Sequence, residues 1–459
     1  MLKTTHLSTP LLRQLELEGR LLDADTIVPE LPRQVFAERA ARLEAARVKA
    51  GLDALVIYAD REHSANLEWL TGFAPRFEEA LLIWVAGRKP LLLVGNENLE
   101  YAHSAAQTRV DLALYQHFSL PDQPRDTNTD LLGTLRSAGV ESGMKLGAIG
   151  WKPASALQPD ALELPHYLVA ALERITGALP VNAAELLMHP QHGLRVILEP
   201  EMIVFAEYAA ALTSQALLRL ISNLEPGMTE RHAAGFLNAY GLELSCHTMT
   251  NFAPVIHSGL RSPRNRALTR GEYAQIAFGV IGSLTCRAGR VVTSSDADAD
   301  GFETLQANYL AVSKAWYGSL RVGATGGDVV RAVEAAKSSD WQLALNPGHL
   351  LHLDEWLGSP FTPNSSLELR SGHAVQHDLI PVPASGNAVV NMEDGLVLAD
   401  ADLRSRLEGI APDLLRRVVA RRALMERLGY TLSEDVLPLS DIAGVTWPYL
   451  LEPDVVALV

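Results

Sequence analysis

Four segments hold the side chains best suited to chemistry: GEYAQIAFGVIGSLTCRAGR (271–290), PGHLLHLDEW (347–356), GHAVQHDL (372–379) and NMED (391–394). Together they offer His349, His352, His373, His377, Asp378 and Glu393, with Arg287 in the first segment. Imidazoles beside carboxylates can move protons, and one His with two acids is also a facial set able to hold Mn, Fe or Zn. Arg287 is always charged and presents a fork of donors, so it suits either a substrate carboxylate or a buried salt bridge. Taken alone, His349 reads as a core histidine with one satisfied ring nitrogen. His352, His373 and His377 read as surface or supporting residues, with His377 next to Asp378 and able to orient it.

The elements that position these groups are legible from periodicity. RQVFAERAARLEAARVKAGLDAL, from Arg33 to Leu55, is an amphipathic helix that passes through Gly51 into the apolar strand ALVIY. Further strands (ALLIWV, PLLLVG, KLGAIG) alternate with helical stretches to about Ala183, which is α/β organisation. LRVILEPEMIVFAEYAAALTSQALLRLI then opens a second domain. LEPGMTERHAAGFLNAYG follows, with a Pro226-Gly227 turn and Thr229 placed to cap a helix. LRVGATGGDVVRAVEAA (320–336) repeats that grammar, an internal echo that predicts a duplicated architecture. After Asp400 come a basic helix, SRLEGIAPDLLRRVVARRALMERLG, and a Pro-punctuated apolar tail. The expected domains are 1–185, 186–400 and a helical extension 401–459, the last a packing appendage or dimer element, or alternatively a lid.

Composition narrows the function classes. The chain has 459 residues, 48% of them hydrophobic, enough for a large core in two or three domains. A net charge of −15 argues against phosphate tracking along nucleic acid, which rests on clustered Lys and Arg. ALLIWVAGRKPLLLV is broken by Arg88 and Lys89, so it reads as two strands and a turn rather than a membrane span. Cys246 and Cys286 form no spaced framework, and MLKTTHLSTP carries no apolar signal core, so a cytoplasmic location is expected.

From about Arg33 to Asp400 the chain resembles the pita-bread family of methionine aminopeptidase, aminopeptidase P, prolidase and creatinase. SANLEWLTGF is similar to the N-x-x-Y-L-T-G-F segment of the creatinase and prolidase N-terminal domain. The implied fold is α/β (α+β), a creatinase/prolidase-like N-terminal domain followed by a pita-bread domain. In the family peptidases, G-D-x-V-x-x-D-x-G and Y-x-S-D-x-T-R supply two metal-binding aspartates. The resemblance puts Ala277 at the first and Arg287 at the second, where a guanidinium would repel a divalent ion. It puts His349, Asp378 and Glu393 at three further ligand positions, Trp356 near the family's second His and Arg266 in the slot of the proton-shuttle His, with His257 close by. Asn391 stands where R-I-E-D has its Arg.

What the resemblance implies is a hydrolase of a C–N bond in a small amino-acid-like or peptide substrate, working without the two-metal centre, as creatinase and ectoine hydrolase do. His349, Asp378 and Glu393 are then the catalytic groups. Arg287 binds a substrate carboxylate or instead neutralises Asp378 and Glu393, and His352 is a substrate contact. Arg76 and Phe77, in the loop after T-G-F, reach the partner's cleft in a homodimer. No cofactor is expected on this reading. The alternatives are a non-catalytic peptide- or metabolite-binding pseudo-enzyme and a Xaa-Pro peptidase with one Mn or Zn on His349, Asp378 and Glu393.

Overall fold

The computed structural model describes residues 2–75, 77–128, 130–254, 261–296, 298, 301–383 and 389–459. The chain divides into two compact units, Leu31–Val196 and a second built from Met1–Glu30 with Ile197–Val459.

In the first unit, helix Arg33–Lys49 and strand Ala54–Ala59 follow the amphipathic-then-apolar pattern. Six strands form one sheet, ordered Asp111–Leu114, Leu91–Val94, Ala80–Val85, Ala54–Ala59, Leu146–Ile149, Val181–Asn182. Ala54–Ala59 and Ala80–Val85 are buried throughout, so both read as continuous apolar runs instead of alternating ones. Arg88 and Lys89 lie in the turn between two antiparallel strands, as expected. ANLEWLT forms a helix stopped by Gly72 at φ 75°, where a Cβ would come within 2.9 Å of Gln107 and 3.3 Å of Phe36. That explains the glycine in T-G-F.

The second unit is organised on a seven-stranded antiparallel sheet. Its order is His349–Leu350, Ala374–Asp378, Asn391–Leu398, Ser283–Arg290, Tyr273–Val280, Met249–Ala253, with Val436–Pro438 also paired to Asn391–Leu398. Helix Pro200–Ser222 is buried along most of its length, and its Thr213 hydroxyl meets Thr285 at 2.9 Å on one sheet face. The two copies of the turn-helix grammar are both present and unequal. Thr325 and Asp328 form a reciprocal capping box on helix Gly326–Ala336. Thr229 caps a helix of only five residues, Glu230–Ala234.

Both ends of the chain depart from the expected boundaries. Met1–Glu30 belongs to the second unit, not to the domain expected over 1–185, because Lys3–His6 pairs with Val455–Leu458. Residues 401–459 are sewn into the same unit: Val436–Pro438 supplies a sheet strand. The single basic helix expected there is two, Ala401–Ile410 and Pro412–Leu428, broken where Pro412 begins the second.

Candidate active site

Sheet register decides which residues share a face, because directly paired residues in antiparallel strands project to the same side. Met249 pairs with Ala277, Ala277 with Cys286, Cys286 with Glu393 and Glu393 with Asp378. One row of five side chains therefore crosses five strands. Asn391 and Gln275 share this face, because both pair with Ala288. His349 pairs with Gln376, two residues from Asp378 on its strand, so it shares the face as well. The three sequence-predicted groups His349, Asp378 and Glu393 thus come together.

Arg287 does not join them. The hairpin turns through Ile281-Gly282, with Ser283 opposite Val280 and Gly282 at φ 91°, and this two-residue turn sets Cys286 opposite Ala277. Arg287 is one residue out of step and points to the other face. There it is 2% exposed and donates to both Asp394 oxygens at 2.8 and 3.0 Å, and to the carbonyls of Val445, Ile442, Cys286 and Glu393. It therefore neutralises Asp394 rather than Asp378 and Glu393, and its fork has no donor left for a substrate. His377 also lies on that back face, buried between Met392 O at 2.9 Å and Ser313 Oγ at 3.1 Å and stacked on Tyr317. It supports the core and does not orient Asp378. His373 is buried and takes the Arg370 N–H on Nδ1. Neither is a surface residue, and burial pushes both imidazoles down to about 3.

On the front face the carboxyl pair is the dominant electrostatic feature. Burial, then the Glu393 charge, raises Asp378 well above the usual carboxylate range. Burial, then the Glu355 charge, pushes Glu393 up to about 7, against the opposing pull of His349 and an Asn391 hydrogen bond. Both shifts favour the neutral carboxyl, and Glu393, near its titration point at neutral pH, sits side by side with Asp378 in the row. His349 is fully buried, with Nδ1 3.2 Å from Leu350 O and Nε2 3.2 Å from Glu355 Oε1. The second contact is in ion-pair range but off hydrogen-bonding angle, so Nε2 stays available to transfer a proton. The Trp356 ring covers the imidazole at 4.2 Å and 22°.

The remaining expected contacts are dispersed. His352 is buried and accepts the Leu353 N–H on Nδ1 at 2.8 Å. Phe77 belongs to the other unit, in a left-handed conformation (φ 61°) and 72% exposed. Arg76 and His257 lie outside the described residues. Arg266 closes a two-pronged pair with Glu272 at 2.6 and 2.7 Å. Sequence reasoning missed Glu355, Gln275, Gln376 and Cys246. Cys246 packs with Cys286, Ala277, Met249 and Leu284, and burial beside Glu355 pushes its thiol to about 11. A cavity of about 650 Å³ lies elsewhere in the unit, between residues 18–29, the first half of helix Pro200–Ser222 and helix Pro412–Leu428. The chemistry is not there, since its buried acids Glu207 and Asp441 are tied up by Arg417, Arg421 and Arg20.

Residues 205–399 match the model of metallopeptidase family M24, and residues 39–163 match that of the creatinase/prolidase N-terminal domain. The chain is a member of the pita-bread family. Family and fold support a hydrolase of the M24 type. Among solved structures, dipeptidase PepE from Mycobacterium ulcerans is 19% identical with a TM-score of 0.62, covering 81% of this chain and 95% of its own. A Xaa-Pro dipeptidase from Bacillus anthracis is 15% identical with a TM-score of 0.60, covering 80% and 96%. A Thermotoga maritima X-Pro aminopeptidase is 15% identical with a TM-score of 0.58, covering 79% and 95%. At these identities the likeness is one of fold. No curated protein matches the sequence. Among the described residues, no helix is long and apolar enough to cross a membrane.

Proposed function

We propose that this pita-bread protein hydrolyses a C–N bond in a small amino-acid-like or peptide substrate without a two-metal centre. The row Ala277–Cys286–Glu393–Asp378 carries the reading. A methyl group and a thiol raised well above its usual range occupy two of its positions, and hard divalent cations take carboxylate oxygens instead. Among the described residues no three His, Cys, Asp or Glu side chains are grouped to hold a metal, so this donor set does not fit a pair of divalent cations. No step is therefore routed through one.

In this reading Glu393 accepts a proton from the attacking water, and His349, entering the cycle as the imidazolium with Nδ1–H on Leu350 O, gives its Nε2 proton to the departing nitrogen. Asp378, whose burial favours the neutral carboxyl, donates to the oxyanion that forms on the attacked carbon. Arg287 takes no part in substrate binding. The names of the similar solved structures, dipeptidases and an X-Pro aminopeptidase, support a short peptide or peptide-like substrate. The homodimer implied by the resemblance and the cytoplasmic location expected from cysteine usage and the N-terminal segment belong to the same reading.

The test is bound metal per chain after purification with Mn, Co and Zn present and no chelator, together with hydrolysis of a Xaa-Pro dipeptide and a set of small amides and amidines. The expected result is near-zero metal and turnover that survives EDTA. One metal per chain that is lost in His349→Ala would overturn the metal-free mechanism in favour of a single ion on His349, Asp378 and Glu393. No turnover of any substrate would leave a binding protein.

A further inference from the structure

The cavity between residues 18–29, helix Pro200–Ser222 and helix Pro412–Leu428 takes no part in the chemistry on the sheet, yet it is built like a binding site. Its volume of about 650 Å³ falls within the range of small-molecule pockets, roughly 300–1,000 Å³. One part of its wall is apolar: Leu21, Leu22, Ile27, Val204, Tyr208 and Ala211. Ile27 is 88% exposed, an apolar side chain with no core to fill.

The other part is charged, and its acceptors are all in use. Glu207 takes Arg417 Nε at 2.8 Å and Arg421 Nη1 at 2.7 Å on Oε1, and Arg417 Nη2 at 2.6 Å on Oε2. Asp441 takes Arg20 and Arg421 on Oδ1 and Gln215 on Oδ2. Glu18 takes Gln14 on one oxygen and Arg20 on the other. Donors are left over. Arg20 Nε is buried with no acceptor among the described residues. Arg421, 2% exposed, borders a void of about 30 Å³ that shares Arg20, Ala420 and Asp441 with the cavity, and its Nη2 has no acceptor among the described residues either. Because both guanidiniums donate to the same Asp441 oxygen, the two orphan donors lie at one end of the cavity. At the rim Arg416 is 74% exposed and pairs with Asp413.

An arginine N–H is completed only by an acceptor. The fixed charges match, Glu18, Glu207, Asp413 and Asp441 against Arg20, Arg416, Arg417 and Arg421, so a cation would find no open oxygen and would meet donors instead. A carboxylate brings two acceptor oxygens in one plane, the arrangement a guanidinium edge matches. Water fits the small void but leaves the apolar wall uncovered.

We propose that this cavity is a second ligand site, for a small amphipathic carboxylate. Its head is held by Arg20 and Arg421 and its tail lies along Leu21, Val204 and Tyr208. The site stands independently of the hydrolase reading, and its test needs no turnover.

Octanoate, its neutral analogue octanamide and tail-less acetate are titrated calorimetrically into the full-length protein at low salt. The expected result is saturable binding of one octanoate per chain, at least ~10-fold tighter than octanamide and ~100-fold tighter than acetate. Arg20→Gln should abolish the preference for octanoate over octanamide, and Val204→Trp, which fills the cavity, should weaken both by at least ~10-fold. The two variants alter different parts of the wall, so if circular dichroism shows one misfolded the other still decides. Equal affinity for octanoate and octanamide would overturn the proposal. So would uptake that does not saturate, or octanoate binding unchanged in the folded variants, which would put the anion elsewhere on the protein.

Discussion

The two faces of the central sheet use the same kinds of residue to opposite ends. On the back face Arg287, Asp394 and His377 are buried and hydrogen-bonded: the guanidinium is shared among Asp394 and four carbonyls, and Gly444 N–H also meets Asp394 at 3.1 Å. On the front face Asp378, Asn391 and Gln376 are as deeply buried, yet one side-chain oxygen of each goes without a donor among the described residues. Burial alone does not distinguish Arg287 and Asp394 from Asp378, but the completeness of their hydrogen bonds does. A buried charge whose bonds are all made holds the fold, whereas acceptors left open at one spot are held ready for something that arrives.

The largest expected effect lies on the back face. Arg287→Met would strand Asp394 without its counter-charge and lose up to six hydrogen bonds that anchor the 440–447 loop, a destabilisation of about 3–5 kcal/mol in urea unfolding. Arg287→Lys would recover only part, because an ammonium cannot span the fork. If Arg287→Met unfolded at wild-type urea concentrations yet lost activity, Arg287 would be a substrate ligand after all and the contrast between the faces would fail.

On the front face the same kind of substitution should stabilise. Glu393 is raised from 4.5 to about 7, so the folded state binds the proton more tightly than the unfolded chain does. Its contribution is fully present below the unfolded value and is lost as pH rises through about 7. Glu393→Gln removes that loss. It should be more stable than wild type at pH 8 by on the order of 2–3 kcal/mol and nearly equal to it at pH 4, while turnover falls at least ~100-fold. Destabilisation at pH 8 would mean that the Glu393 carboxylate has a partner and is not held in readiness.

The contrast between faces also explains what the sequence disclosed. The α/β unit, the paired strands around Arg88 and Lys89 and the repeated turn-helix grammar were legible, because each rests on periodicity or on a segment with its own turn residues, whereas the meeting of His349, Asp378 and Glu393 was implied only by the family resemblance. The face of Arg287 was not legible, because it turns on a single residue of register. Aligning the hairpin from Arg290 backward puts Arg287 across from Ala277, whereas the two-residue Ile281-Gly282 turn puts Cys286 there. Counting outward from that turn would have recovered it. Gln275 with Ala277, Gln376 with Asp378 and Asn391 with Glu393 were available in the same way, each pair two apart on one strand. The placement of Met1–Glu30 was beyond reach, since Lys3–His6 finds its partner strand more than 400 residues away.

The smallest expected effect is the finest test of the front face. Glu355 is 29% exposed, 3.2 Å from His349, and its charge is the second cause, after burial, of the raised Glu393 value. Solvent screens a group at that exposure, so its share is modest. Glu355→Gln should therefore lower the acid limb of the kcat/KM profile by ~0.3–1 pH unit, with stability nearly unchanged. The limb should also respond less to added salt than in wild type, since the screened charge has gone. Removing Glu355 frees His349 Nε2 at the same stroke, so a fall in kcat without movement of the limb would assign Glu355 to holding the imidazole rather than to tuning Glu393. A limb that moved upward would contradict the ordering of charges on this face, because losing an anionic neighbour makes an acid stronger, not weaker.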